Sequence, residues 1–150
     1  MSYQEKNITV SMVSHVLILV YYVTQLYQML QTGELVSAQL FGLSAVAIIA
    51  LAIINIIASI LTNILLSIVQ AIKTRSDKVD RFIEDERDKL IGLKGTRTSY
   101  ITHSIGVLVG LLSFVFGQPP LVMFGLIIFF GLVAQIAGDI TQIYLYRRGF

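Results

Sequence analysis

The sequence predicts an all-α integral membrane protein. The expected architecture is four transmembrane helices in an up-down-up-down bundle, with both termini cytoplasmic and an extended helical cytoplasmic connection between helices two and three. Three observations predict it. Of the 150 residues 55% are apolar, in uncharged stretches too long for a soluble domain of this size to bury. Of the 20 charged residues (11 basic and 9 acidic), 14 lie between Lys73 and Arg97. Lys6, eight residues within 73–97, Arg147 and Arg148 account for every lysine and arginine, so the other two connections carry none. Positive residues mark the cytoplasmic face, which fixes the orientation and points to a multi-pass protein of the cytoplasmic (inner) membrane.

The elements follow in order within a single membrane domain, residues 1–150. The first helix spans about 8–30. Lys6 precedes it, but Tyr21, Tyr22, Gln25 and Tyr27 stand where a cleavage site would be, so it reads as a retained helix. The second spans about 40–72, which at 1.5 Å per residue is about 50 Å, too long for one upright crossing of a layer about 30 Å thick. It reads as one tilted helix continuing into the charged region. The third spans about 98–116 and the fourth about 121–145, joined by a short turn at Gly117-Gln118-Pro119-Pro120. Gln31-Thr32-Gly33-Glu34 makes the other short turn.

The connection 73–97 holds the run FIEDERDKLIGLKGTRTSY, residues 82–100. Val79, Phe82, Ile83, Leu90 and Ile91 follow a spacing of three to four residues, which predicts an amphipathic helix over 77–91. Ser76 would cap it, Gly92 and Gly95 would loosen the chain after it, and Thr96 would cap the third membrane helix. Asp77 before Arg81 and Asp85 before Lys89 are i,i+4 pairs. Four acids within five residues, Glu84, Asp85, Glu86 and Asp88, exceed what such pairing needs. With Arg87 they form a candidate docking surface for a cytosolic or membrane protein partner.

The stretch DERDKLIGLKGTRTSY resembles the loop of a family of small prokaryotic four-helix membrane proteins that carry an Asp-Glu-Arg-Asp motif. The matching residues are Asp85, Glu86, Arg87 and Asp88, then Ile91, Lys94 and Tyr100; Gly95 stands where the family pattern has alanine. The resemblance implies a family fold and a bacterial or archaeal origin, and supplies no activity.

Each predicted helix carries a small or polar stripe. Ser11, His15, Tyr22 and Gln25 mark the first. Ala52, Asn55, Ser59, Thr62 and Gln70 mark the second, with Asn63 beside them. Thr102, His103, Gly106 and Gly110 mark the third; Gly131, Gln135, Gly138, Asp139 and Gln142 mark the fourth. Gly106 and Gly110 form a small-xxx-small pattern that permits close helix packing and places His103 on the packed face. The hydroxyl and amide residues read as hydrogen-bonding glue between helices. His15, His103 and Asp139 are expected within one or two turns of the cytoplasmic ends, as one polar layer that Asn63 could join. Asp139 is the only acid within a predicted span, where a lone carboxylate is destabilising by about 2.5–3.5 kcal/mol at the centre and less near the boundary. A His–Asp pair would satisfy both groups.

Three functions from different classes fit this pattern. One is a non-catalytic protein that engages a partner through the charged loop. Another is a small transporter or proton-coupled binding protein using Asp139, His15 and His103, functioning as a homodimer. The third is an electron carrier holding haem b between His15 and His103 on diagonal helices. A net charge of +2 is too small to argue for nucleic acid. With no cysteine there are no disulfides, thiol chemistry or cysteine-ligated metals. No nucleophile, zinc or phosphate-loop motif appears, so no enzyme and no metal are expected.

Overall fold

The computed structural model describes residues 3–31, 37–74 and 86–148. They form four helices: α1 Tyr3–Gln31, α2 Ser37–Thr74, α3 Glu86–Val115 and α4 Pro120–Arg148. Each contains a segment long and apolar enough to cross a membrane. Their outward faces carry Leu17, Ile49, Ile53, Ile105, Leu108 and Leu112, all exposed. So much contiguous apolar surface suits lipid rather than water. The chain is therefore a multi-pass helical membrane protein.

The helices run further than hydropathy alone predicts. α2 is continuous over 38 residues, about 57 Å at 1.5 Å per residue, as the overlong second segment required. α3 begins at Glu86, not near Thr98, so Thr96 lies inside a helix rather than capping one. Residues 86–91 of the expected amphipathic helix are the opening turns of α3, with Glu86 and Asp88 placed favourably at its positive end. The remainder, 77–85, lies outside the described residues, as does the turn after Gln31. Gly92 and Gly95 do not break α3. A glycine inside a helix is unfavourable by about 0.5–1 kcal/mol relative to alanine, and at Gly95 close packing offsets this. A Cβ there would lie 2.5 Å from Cγ of Gln142 on α4.

The turn between α3 and α4 forms as its glycine and prolines require. Gly117 adopts φ 85°, its N–H donates to the Phe114 carbonyl at 3.0 Å, and the Gln118 N–H donates to the Ser113 carbonyl at 3.1 Å. Those two bonds make a Schellman motif, and Pro120 then opens α4.

Packing sets the helix order. α4 lies against α1, α3 and, more lightly, α2, while α1 also lies against α2. Among the described residues α3 rests on α4 alone. A closed bundle would seat α2 beside α3; here that side is open. The apolar core is correspondingly one-sided: Ile18 and Tyr22 of α1, Leu43 and Ala47 of α2 and Leu132 of α4. α3 is attached instead through small residues. A Cβ on Gly106 would overlap Phe130, one on Gly138 would overlap Ser99, and one on Gly110 would come within 2.9 Å of Ile127. Gly92 faces open space.

Candidate functional site

The site begins with the one intramembrane acid. Asp139 of α4 is 8% exposed and meets His15 of α1, which is 2% exposed. Their Oδ2 and Nδ1 atoms stand 2.7 Å apart. A carboxylate accepts, so the imidazole Nδ1–H donates, and in the neutral ring Nε2 carries the lone pair. That Nε2 is buried and has no hydrogen-bond partner among the described residues. The sequence suggested a His–Asp pair without choosing between the histidines; here Asp139 meets His15, and one basic nitrogen is left over.

Asp139 also lies on the wall of a groove of about 480 Å³ on the open side of the protein. α4 forms its floor, Ile48 and Leu51 of α2 flank one side, and Ser99, Tyr100 and His103 of α3 flank the other. Gln135 and Gln142 add further polar groups. A second groove of about 250 Å³ lies between α1 and α2, lined by residues such as Leu17, Ile18, Val46 and Ile54, and contains no acid or histidine. The two differ in chemistry as well as size: only the first combines a carboxylate, hydrogen-bonding side chains and apolar walls.

The other predicted site residues divide. His103 lines the large groove but is exposed rather than packed between helices. Its ring abuts Gly131, eight residues before Asp139, about 12 Å along α4. The three groups therefore do not form one layer. The misplacement came from the helix ends: α3 starts so early that His103 lies about 26 Å, and His15 about 18 Å, along their helices. His15 and His103, expected at one depth across a haem, stand at different depths along the bundle. Gly131 meets α3 through the His103 ring, which a Cβ there would approach to 3.7 Å, a looser contact than those of Gly106, Gly110 and Gly138. The side chain of Asn63 lies outside the described residues.

Within the charged motif, Glu84 and Asp85 lie outside the described residues and Glu86 is exposed. Arg87, which is exposed, and Asp88, which is half-buried, both contact Tyr146. The Tyr146 hydroxyl donates to Asp88 Oδ1 at 2.7 Å, and the Arg87 guanidinium lies 5.8 Å from the Tyr146 ring centre. Arg147 Nε donates to Glu5 Oε1 at 3.0 Å, so the same end ties α1 to α4 as well. These contacts form a collar joining α1, α3 and α4. Sequence reasoning missed it because Tyr146 lies 58 residues from Asp88.

Among the described residues several hydroxyl groups bond within their own helix. Ser44, Ser99, Ser113 and Thr141 each donate to a carbonyl one turn back in their own helix. In lipid this short loop satisfies a hydroxyl without a partner helix. Tyr22 does bridge helices: its hydroxyl donates to the Gly125 carbonyl at 3.3 Å. Gly95 and Ser99 were also missed as contact residues, although their four-residue spacing extends the stripe of Gly106 and Gly110. No family model, curated protein or solved structure matches this chain.

Proposed function

We propose that this chain is a non-catalytic membrane protein that binds a small ligand within the bilayer, in the groove between α2 and α3. Binding is coupled to protonation of the His15–Asp139 pair. The observation that carries this reading is a buried acid, Asp139, on the wall of the polar groove, hydrogen-bonded to His15, whose second nitrogen has no partner among the described residues. Intramembrane ionisable groups usually mark pathways or ligand sites, and about 480 Å³ lies within the range of small-molecule pockets, roughly 300–1,000 Å³. Imidazole is the side chain that ordinarily changes charge near neutrality. A photoreactive amphiphile, irradiated with the protein in nanodiscs, tests the location: its label falls on the groove-lining residues of α3 and α4. Labelling that avoids them removes the reading.

Partner docking through the charged loop is the second reading, favoured by the exposure of Glu86 at the start of α3. It ranks lower because Arg87 and Asp88 have structural duties in the collar. In either case the lysine and arginine distribution supports a cytoplasmic position for both termini and the 73–97 connection, in the inner membrane of a prokaryotic cell. The chain has no cysteine, which makes labelling direct. Single cysteines at Gly33 and Gln118 react with an impermeant maleimide from outside intact cells, and one at Glu84 reacts only after lysis. The reverse pattern would invert the topology.

A further inference from the structure

Resting on the ligand-binding reading, we infer that the groove takes an amphipathic organic cation from the lipid phase, in exchange for a proton at the His15–Asp139 pair. Three observations converge on this ligand class. Asp139 is the only acidic side chain lining the groove among the described residues, and no lysine or arginine lines it. The site is thus built for positive charge. Around that acid, Ser99, Gln135 and Gln142 offer hydrogen bonds, while Ile48, Leu51 and Leu132 supply apolar walls. This mixture matches a molecule with a charged head and an apolar body. Finally, among the described residues α3 packs on α4 alone, so the groove opens sideways between α2 and α3, where acyl chains surround the protein. A ligand that partitions into the bilayer reaches it without crossing water.

The exchange follows from charge. With neutral His15 the pair carries one negative charge, held on a carboxylate that accepts the Nδ1–H bond. A proton taken by Nε2 makes an imidazolium, and the pair becomes neutral overall. An organic cation and that proton therefore compensate the same carboxylate and exclude one another. The other titratable groups facing the groove are His103 and Tyr100, both on α3; the α2 wall of Ile48 and Leu51 has none. Protonated His103 would repel a cation too, so its contribution adds to the same direction. Glu5 and Arg147 pair with each other eight residues beyond Asp139, about 12 Å along α4.

The test uses full-length protein in nanodiscs and three probes sharing one tetraphenyl body: the phosphonium cation, the neutral silane and the borate anion. The phosphonium binds saturably at pH 8, at least tenfold more tightly than the borate, and at least tenfold more weakly at pH 5.5. Asp139→Asn lowers phosphonium affinity at least tenfold. In His15→Asn, which can still donate to Asp139 but cannot titrate, the ratio of affinities between the two pH values falls at least threefold, His103 accounting for what is left. Binding of cation and anion alike, or no pH dependence in the native protein, overturns the inference. The latter comparison needs no variant to fold. If the silane binds in the groove and the phosphonium does not, the ligand class is refuted while the binding site stands. If no probe reaches the groove, both fail.

Discussion

Replacing His15 with leucine lowers the stability of the protein in bicelles by up to about 2.5–3.5 kcal/mol, the penalty for an uncompensated acid at the centre of a membrane helix. The size of this effect separates two roles for the contact. If His15 and Asp139 were ordinary interhelical glue, breaking their bond would be worth about 0.6 kcal/mol, the average for such bonds between membrane helices. The geometry argues for the larger figure, because the carboxylate is nearly buried and its Oδ2 accepts from His15 at 2.7 Å. Removing both partners discriminates further. His15→Leu combined with Asp139→Leu should recover at least half of the lost stability, since an apolar pair leaves no stranded group. That protein would fold and have no ligand site. Reversible unfolding of the two single variants and the double variant checks this; additive losses would show that the pair is not a unit.

Gly106→Ala should destabilise the protein by about 1–3 kcal/mol through overpacking. The new methyl group overlaps Cβ and Cγ of Phe130, atoms too close to the α4 backbone to swing aside. The two helices must separate, and α3 has no other helix to rest on among the described residues. Gly92→Ala is the matched control in the same helix. Nothing lies within 4 Å of a Cβ there, so the change should stabilise by about 0.5–1 kcal/mol from backbone entropy alone. Opposite signs at two glycines of one helix would tie the effect to the α3–α4 contact rather than to helix propensity. Loss at both sites, or at neither, would contradict the packing described.

Much of this fold can be read from the sequence because lipid imposes strict rules on it. A helix is the natural way for an isolated apolar segment to satisfy its backbone in hydrocarbon, so four such segments give four helices. That Asp139 needs a partner was legible for the same reason, but which histidine supplies it, His15 rather than His103, was not. What could not be read depends on distant neighbours. Gly95 looks like a helix breaker until Gln142 is seen against it, and Asp88 looks surplus until Tyr146 reaches it. The depth of His103 was misjudged because hydropathy marks where apolar residues stop, whereas α3 continues through charged ones to Glu86. The open side between α2 and α3, which creates the groove, leaves no mark in the polar stripes.

Photolabelling is the most direct test of a ligand site at Asp139. A photoreactive hydrophobic cation, irradiated with the native protein in nanodiscs and mapped by mass spectrometry, should attach within residues 99–103 of α3 and 135–142 of α4. An excess of the unlabelled cation should suppress that attachment. Label spread evenly over the lipid-facing surface, or concentrated in the apolar groove between α1 and α2, would contradict a binding site at the His15–Asp139 pair.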